Sequence, residues 1–430
     1  MSAPTGRLQA PYHQLSRPDG GRERVQLLYA TDPRHLAVLR AAVETGALPQ
    51  APRRRLLLST SAPAPEVGWP PGWPAPGEWE AEWGRALSLH EALHPLHPAG
   101  WEPREEELPL WERYLRLLWG LGEDRVELVT GPLEEAGSRA LARVFPDAPL
   151  WVCADGLRGH APSGLRHPPA LGARVRGLYQ PDLLPGLEPL LLREFAVPAR
   201  ALPVADCRAV WSRLAGRSEL PDTPPDVALL LDGADPEALT ALGRLGHTRV
   251  LVPAPAGERL ARRATEAGCA LVPYEPTLPL ERLLLWAAPA LVVGPPGVAT
   301  LTAAAWGFPV ARSGGAPDPV TSALLGDCLP PLPESTASPW RAPEAARLSP
   351  LRDAVAYCRH PHAPVMLPPL RPATEQFLRG PRAAELRRLV PARRLVRLGL
   401  NSGGALGLTA RLANHRTIRR WARRLPHPKH

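Results

Sequence analysis

Short apolar runs alternate with amphipathic runs along most of this chain, and this alternation restricts its fold more than any other feature. The apolar run VQLLYA (residues 25–30) precedes an amphipathic stretch at 35–45, and a second apolar run, RLLLS, follows at 55–59. Apolar runs of this length predict buried strands. A strand–helix–strand unit of this size predicts a parallel sheet with a right-handed crossover. The opening of the chain therefore predicts an α/β fold.

The alternation occurs in two series. The first contains predicted strands at 25–30, 55–59, 124–130 and 150–153. A polar stretch with three prolines, GRSELPDTPP, then predicts a linker, after which the second series has predicted strands at 227–231, 248–252, 270–272 and 290–293. At 430 residues the chain is long enough for two domains of roughly 150–200 residues each. The predicted organisation is a disordered leader (1–24), a first Rossmann-like domain (25–215), a linker (216–225), a second Rossmann-like domain (226–345), and a proline-rich loop with an arginine-rich helical tail (346–430).

Amphipathic periodicity predicts the helices between these strands. In the first series they are 35–45, 108–121, 132–145, 187–195 and 205–214, and in the second they are 235–245, 257–267, 280–287 and 298–306. Thr31 or Asp32 is the expected N-cap of the first helix, with Pro33 in its first turn. Residues 360–372 are rich in proline and predict a loop.

Several functional classes are disfavoured by composition. The five cysteines are scattered without a Cys-x-x-Cys pair, so neither a disulfide framework nor a zinc site is predicted. The longest apolar run, 283–293, is too short to span a membrane and contains Pro289. The first residues lack the pattern of a signal peptide. The sequence therefore predicts a cytoplasmic protein without a structural metal.

Positive charge is concentrated at the end of the chain. The net charge is +9, but residues 381–430 hold 13 Arg and Lys against one acid, Glu385, so the rest of the chain is slightly acidic. Residues 411–425 interleave arginines with Ile418, Trp421 and Leu425, which predicts a basic amphipathic helix. Three roles are open to it: contact with an anionic lipid surface, packing against the domains, or a solvated end. No nucleic-acid motif accompanies the charge, so nucleic acid is not a predicted partner.

The stretch LWVCADGLRGHAPSG (residues 150–164) contains the first candidate functional residues. Asp155 follows an apolar strand, where an acid or base of an α/β protein is expected, and Gly156 permits a sharp turn. The alternative for Asp155 is an ordinary turn residue. His160, in the same loop, is a candidate substrate contact or substitute acid, and its alternative is an exposed loop histidine.

A second candidate is the turn Gly294-Pro295-Pro296-Gly297 before a predicted helix. Amides at the helix N-terminus could bind a phosphate, with the Thr300 hydroxyl adding a donor. The alternative is a tight strand–helix turn, and the prolines favour it because they lack amide hydrogens. Glu275 and Glu281, on either side of Pro279, are further candidates, with Glu281 alternatively a first-turn partner of the helix dipole. A Gly-x-Gly-x-x-Gly motif is absent, so a dinucleotide cofactor is not predicted.

Four stretches together resemble the bacterial sialyltransferase/polysialyltransferase family: VQLLYATDPRHLAVLRAAVETG, LWVCADGLRGHAP, LVPYEPTLPLERLLL and ALVVGPPGVATLTAAAWGFPV. The resemblance implies the GT-B architecture, two Rossmann-like doubly wound domains facing a cleft. It implies a glycosyltransferase that uses a CMP-activated, nonulosonate-like sugar as substrate and needs neither a metal nor a cofactor. The implied acceptor is a capsule-type surface glycan, assembled at the inner face of the membrane.

The resemblance also assigns roles to residues. It implies that Asp155 is the general base for the acceptor hydroxyl, and that Glu281 contacts the donor ribose. Three positions depart from the family pattern: Ala154 replaces the first acid of the acidic motif, Ala254 replaces a histidine that handles the donor phosphate, and Thr300 supplies the sole hydroxyl of an expected pair. These departures leave a non-catalytic relative that binds glycan or nucleotide in a polysaccharide assembly complex as the main alternative. An epimerase-like enzyme would need acids and a histidine that the sequence does not offer.

Overall fold

The computed structural model describes residues 23–60, 86–164, 167–215, 226–231, 236–314, 319–325, 328–332 and 342–400. The predicted linker at 216–225, residues 1–22 of the predicted leader and residues 401–430 of the basic tail lie outside the described residues. Within the described part the chain forms two parallel sheets flanked by helices.

The first sheet has seven strands, which are β1 (Arg24–Ala30), β2 (Arg53–Leu58), β3 (Leu87–Ser88), β4 (Arg125–Thr130), β5 (Leu150–Cys153), β6 (Val175–Pro181) and β7 (Ala199–Leu202). Their order is β3-β2-β1-β4-β5-β6-β7, and the pairings from β3 through to β6 are parallel. The direction of the connections therefore reverses between β1 and β4. That reversal is the topological switch point, outside which ligands bind in open α/β sheets.

The second sheet has five strands, which are β8 (Val227–Leu230), β9 (Arg249–Pro253), β10 (Ala270–Tyr274), β11 (Leu291–Gly294) and β12 (Val310–Arg312). Their order is β10-β9-β8-β11-β12, with parallel pairing throughout. Both sheets thus have the strand order that defines a doubly wound domain. The predicted fold class, α/β with two Rossmann-like doubly wound domains, is confirmed.

The helices are α1 (Pro33–Glu44), α2 (Leu89–Leu93), α3 (Leu108–Leu118), α4 (Ala136–Val144), α5 (Pro169–Gly172), α6 (Val204–Ala215), α7 (Pro236–Arg244), α8 (Glu258–Glu266), α9 (Leu280–Ala287), α10 (Val298–Ala305), α11 (Pro319–Leu325), α12 (Ala345–Arg359), α13 (Ala363–Met366), α14 (Leu370–Arg379), α15 (Ala383–Leu389) and α16 (Ala392–Arg397). The expected start of α1 is confirmed, because the Asp32 side chain accepts a hydrogen bond from the His35 N–H and Pro33 occupies the first turn. Among these described helices, none combines the length and the apolar character needed to cross a bilayer.

The chain divides into two compact units that are not simple halves. The first unit comprises the residues up to Cys153 together with Ala173–Tyr179. The second comprises Ala154–Gly172 and all residues from Gln180 onward. Most strands are largely buried, as parallel sheets covered by helices require: β1 exposes only its first residue and every residue of β11 is buried. Strand β7, at the edge of the first sheet, instead exposes its first three residues.

Two predicted elements are wrong. The helix predicted over 187–195 is absent apart from a single 3₁₀ turn, Arg193–Phe195. The N–H groups of Leu190 and Leu191 instead donate to the carbonyl of Gly159, at 2.8 and 3.1 Å, so they cannot form the hydrogen bonds of an α-helix.

The loop predicted over 360–372 is the second wrong element, because the structure has helices where the sequence predicts none. Helix α13 begins within it, and α14 begins at Leu370. Several of its prolines lie in or just before the first turn of these helices, the one helical position where a missing N–H carries no penalty.

Candidate functional site

Asp155 and Gly156 lie immediately beyond the carboxyl end of β5, where the sequence predicts a functional acid. The backbone carbonyl of Asp155 accepts a hydrogen bond from the Arg158 N–H at 3.1 Å, and Gly156 has a φ of +50°. A side chain is strained in that left-handed conformation, so glycine suits the position. Asp155 itself is half-buried, and it stays accessible from solvent.

The turn after β5 contacts the N-terminus of α10. A methyl group at Gly156 would lie 2.7 Å from the Cγ1 atom of Val298, closer than two carbon atoms approach, so the glycine backbone touches this side chain. Leu157 and Leu301 pack into the same hydrophobic cluster beneath this contact. The structure therefore brings together, within the second unit, the acidic turn and the glycine–proline turn that the sequence singles out separately.

The two glycines of the second turn have different environments. A side chain at Gly294 would lie 2.9 Å from Leu231 and 3.1 Å from Thr300, so this glycine permits close packing at the sheet edge. Gly297 has open space around it, with Pro295 O, at 3.8 Å, the nearest atom to an added side chain. Its backbone is extended, a conformation that any residue can adopt, so the backbone does not require a glycine here. The first turn of α10 is therefore accessible to a ligand beside Gly297.

Thr300 is fully buried, and its hydroxyl serves the turn. Its Oγ1 accepts a hydrogen bond from the Gly297 N–H and lies 3.1 Å from the carbonyls of Pro295 and Gly297, to either of which it can donate. A hydroxyl held in this way closes the turn. Any anion at this helix N-terminus would therefore depend on the backbone amides of the first turn.

His160 is 1% exposed, so it is not the exposed loop histidine that the sequence offers as an alternative. Burial is the main cause that lowers its pKa to about 4, and the nearby Arg352 guanidinium lowers it further, while a hydrogen bond with the Glu188 backbone acts in the opposite direction. Its Nδ1 atom has no hydrogen-bond partner among the described residues. At neutral pH this imidazole is an uncharged part of the core.

Burial of His160 predicts acid sensitivity of the second unit. The unfolded chain binds the proton with a pKa near 6.5 and the folded chain near 4, so this stabilisation is complete above pH 6.5 and is lost as the pH falls towards 4. We expect the wild-type free energy of unfolding to fall by about 3 kcal/mol more than that of His160→Leu over this interval. Urea denaturation at several pH values measures it. The exposed His362→Asn control should keep the wild-type slope, and an equal slope for His160→Leu would contradict the prediction.

The two glutamates occupy contrasting positions. Glu275 is exposed, and its Oε1 accepts a hydrogen bond from the Thr277 hydroxyl at 3.0 Å. Glu281 is buried in the first turn of α9. Its carboxylate is near Cys207 of α6, whose pKa is raised to about 12, chiefly by burial and to a smaller extent by Asp206 and Glu281. Glu281 thus lies against α6, and Glu275 is the more accessible of the two acids.

A third group, in the first unit, was missed by the sequence analysis. His35 and Glu135 follow β1 and β4, the strands on either side of the topological switch point. A methyl group at Gly131 would lie 2.8 Å from both His35 Cε1 and Glu135 Oε2, so the imidazole and the carboxylate share one small space. His35 is 3% exposed.

Tyr29 and Ser59 extend this group along the same edge of the sheet. Burial raises the pKa of Tyr29, its hydrogen bond with Ser59 lowers it, and the Glu135 carboxylate raises it. Nearby in sequence, the Ser138 hydroxyl is buried without a hydrogen-bond partner among the described residues. An imidazole beside a carboxylate can move a proton, which makes His35 a second candidate base. The sequence contains a signal for this group, because His35 comes soon after the first predicted strand and Glu134-Glu135 soon after the strand predicted at 124–130.

No group of three or more metal-binding side chains occurs in the described part of the chain.

Comparison with known proteins gives structural matches alone. No protein-family model matches the chain, and no curated protein sequence matches it. Among solved structures, MurG of Acinetobacter baumannii matches with 12% identity and a TM-score of 0.36, covering 91% of this chain and 99% of that one. A UGT transferase from Siraitia grosvenorii, solved with UDP, matches with 12% identity and a TM-score of 0.39, covering 90% and 98%.

UGT71G1 of Medicago truncatula, solved with UDP-glucose, also has 12% identity, with a TM-score of 0.41 and coverage of 82% and 93%. Identities of 12% and TM-scores below 0.5 do not assign a family to the chain.

Proposed function

We propose that the protein is a glycosyltransferase that transfers a sugar from a nucleotide-activated donor to a glycan acceptor. The observation that carries the proposal is the contact between the turn at Gly156 and the first turn of α10 at Val298. A half-buried carboxylate and an accessible helix N-terminus are thereby combined in one unit. Sugar transfer from a nucleotide requires both a base for the acceptor hydroxyl and a positive environment for the departing phosphate.

In this proposal Asp155 is the general base, as the family resemblance implies. The carboxylate would accept the proton of the acceptor hydroxyl while that oxygen attacks the anomeric carbon of the donor. The bond between this carbon and the donor phosphate breaks, and the nucleotide leaves with the electron pair. His35 is the alternative base, because it too lies at the carboxyl edge of a parallel sheet.

The donor phosphate would bind at the start of α10, beside Gly297. Open space there admits a phosphate oxygen, and the partial positive charge of the helix N-terminus favours it. The same charge would stabilise the nucleotide as it leaves, so the proposal needs neither metal nor cofactor. A CMP-linked, nonulosonate-like sugar is the proposed donor because the family that the four stretches resemble uses one. Glu275 remains a proposed donor contact, as does Glu281 if the helix region rearranges around the ribose.

The proposed acceptor is a surface glycan, handled in the cytoplasm at the inner membrane face. The basic sequence at 411–425 would provide peripheral contact with anionic lipid. Sedimentation with vesicles that contain anionic lipid tests this part, and the full chain should bind them while a chain ending at Leu400 should not. Binding by both would assign the membrane contact to another surface.

A non-catalytic relative is the second candidate function. The observation in its favour is Ala254, which replaces the histidine that the resembling family uses at the donor phosphate. Such a protein would bind a nucleotide or a glycan within an assembly complex and would turn nothing over. Both functions allow nucleotide binding, so only a measurement of turnover distinguishes them.

Nucleotide binding provides the first test, by thermal denaturation with CMP, CTP, UDP, GDP or ADP. A ligand at about 100 times its Kd stabilises the folded state by about 2.7 kcal/mol, so a specific nucleotide should raise the Tm measurably. We expect CMP to give the largest shift. A larger shift with UDP or GDP would retain the transferase and replace the donor, and no shift with any nucleotide would overturn the proposed donor site.

Two matched glycine variants locate the site. Gly297 and Gly257 both precede a helix of the second unit, and neither crowds an added side chain. Gly297→Val should fold normally and lose the CMP-dependent shift, because the new side chain occupies the proposed phosphate position. Gly257→Val should keep it. An undiminished shift in Gly297→Val would place the nucleotide elsewhere.

A further inference from the structure

A cavity of about 460 Å³ lies in the second unit, in the region between the end of β6 and β7. It is lined by Gln180, Asp182, Glu188 and Arg193, with Leu191 and Ala199 among its apolar walls. This volume is in the range of small-molecule sites. None of these residues belongs to the acidic turn at Asp155 or to the first turn of α10, so the proposed function does not use the cavity.

The charges that line the cavity are unbalanced. Asp182 is half-buried, and no cation or hydrogen-bond donor of the described residues is paired with its carboxylate; burial raises its pKa. Glu188 adds a second carboxylate at the rim. The one guanidinium in the lining, that of Arg193, already lies 3.7 Å from the Asp353 carboxylate. The cavity therefore favours a ligand with a positive charge, because a partly desolvated carboxylate gains most from a cation.

A buried amide in the lining indicates what else the ligand contains. Gln180 is 4% exposed, and its Oε1 has no hydrogen-bond partner among the described residues. This amide is held at the wall, because the neighbouring Gly159 leaves room for it; a methyl group at Gly159 would collide with Oε1. A buried amide oxygen that lacks a donor is costly, and a ligand hydroxyl group can donate to it.

We propose that this cavity is a second binding site, separate from the transfer site, for a small polyhydroxylated ligand that carries a protonated amine, such as an amino sugar. The ammonium group would bind the Asp182 carboxylate, with Glu188 contributing to the negative potential. Hydroxyl groups would bind the Gln180 amide, and the carbon skeleton would lie against Leu191 and Ala199. The volume suits one or two sugar rings.

Glucosamine and glucose are the appropriate probes, because they differ at one position, an ammonium group in place of a hydroxyl. Binding to the full chain is measured by ligand-detected NMR or calorimetry without nucleotide, so that the result is independent of the donor site. We expect glucosamine to bind about tenfold more tightly than glucose, as a charge-assisted hydrogen bond to a partly buried carboxylate implies. Equal affinities, or no binding of either sugar at concentrations on the order of 10 mM, would overturn the proposal.

Three variants connect the binding to the cavity. Asp182→Asn should reduce glucosamine affinity to that of glucose, whereas Glu258→Gln, which removes an exposed acid of the same unit on α8, should leave both affinities unchanged. Ala199→Leu fills the cavity from a residue with an exposed side chain and should abolish binding of both sugars without removing a charge. Retained glucosamine preference in both Asp182→Asn and Ala199→Leu would contradict the assignment. If the wild-type chain binds glucosamine but CMP does not raise its Tm, the proposed donor site is wrong and the proposal for this cavity stands.

Discussion

Replacement of Asp155 by asparagine is expected to lower the rate of sugar transfer by about 10²- to 10⁴-fold, the usual contribution of a general base. Asparagine has nearly the same shape as aspartate but cannot accept a proton at neutral pH. The fold and the nucleotide-dependent Tm shift should therefore persist while turnover falls. The measurement is release of free nucleotide from the donor that gives the largest Tm shift, with a glycan acceptor present.

Two further variants make this result specific. Asp206→Asn changes another half-buried aspartate of the second unit, on α6, and should leave turnover unchanged. His35→Asn removes the alternative base in the first unit. If His35→Asn abolished turnover and Asp155→Asn did not, the base would belong to the switch point between β1 and β4. If the wild type binds nucleotide and releases none with any acceptor, the non-catalytic function is the correct one.

The second large effect is expected at Arg352 of α12, whose side chain is fully buried. Its Nε and Nη2 donate to Asp353 Oδ1 at 2.8 and 2.6 Å, and its Nη1 donates to the Glu188 carbonyl. Arg352→Met should lower the free energy of unfolding by about 3 kcal/mol, because the change removes the hydrogen-bond donors of a buried carboxylate and of a carbonyl, and leaves the carboxylate with the more distant Arg193 guanidinium, at 3.7 Å. Equilibrium denaturation measures the loss.

A matched variant and a double variant separate charge from shape. Arg347→Met changes an exposed arginine of the same helix and should cost less than about 0.5 kcal/mol. Adding Asp353→Asn to Arg352→Met should recover part of the loss, since the charge that lost its hydrogen-bond donors is then removed. A double variant less stable than Arg352→Met by the full cost of Asp353→Asn would show that the two side chains act independently, contrary to this expectation.

The fold was accessible from the sequence where local patterns decide the structure. The strands of both series are short apolar runs, and Asp32 and Pro33 mark the start of α1 with ordinary capping chemistry. The helix predicted over 187–195 failed because its backbone amides bond to Gly159, a partner from a distant segment. Periodicity within a segment cannot reveal such a partner.

The candidate site was predictable in its parts and not in its assembly. Gly156 and Gly297 each stand out as turn residues after apolar strands, but their proximity depends on packing around Val298 and Leu301. The sequence offered an exposed histidine at 160, because its neighbours Glu188 and Arg352 come from segments that are distant along the chain. It overlooked Glu135, since a carboxylate beside a histidine is a property of the sheet edge and not of either strand.

The division of the chain between its two compact units has a consequence for synthesis on the ribosome. The first unit lacks part of its sheet until Ala173–Tyr179 has emerged, by which time Ala154–Gly172, a piece of the second unit, is already outside. Ala154–Gly172 cannot pack until later residues are made, because Leu157 packs in a cluster with Leu301 and Leu348 and His160 lies beside the Arg352 guanidinium of α12. The nascent chain therefore holds unsatisfied polar groups and the apolar Leu157 until α12 is made. Recruitment of a chaperone to this interval, rather than to the finished protein, is the expected requirement for folding in the cell.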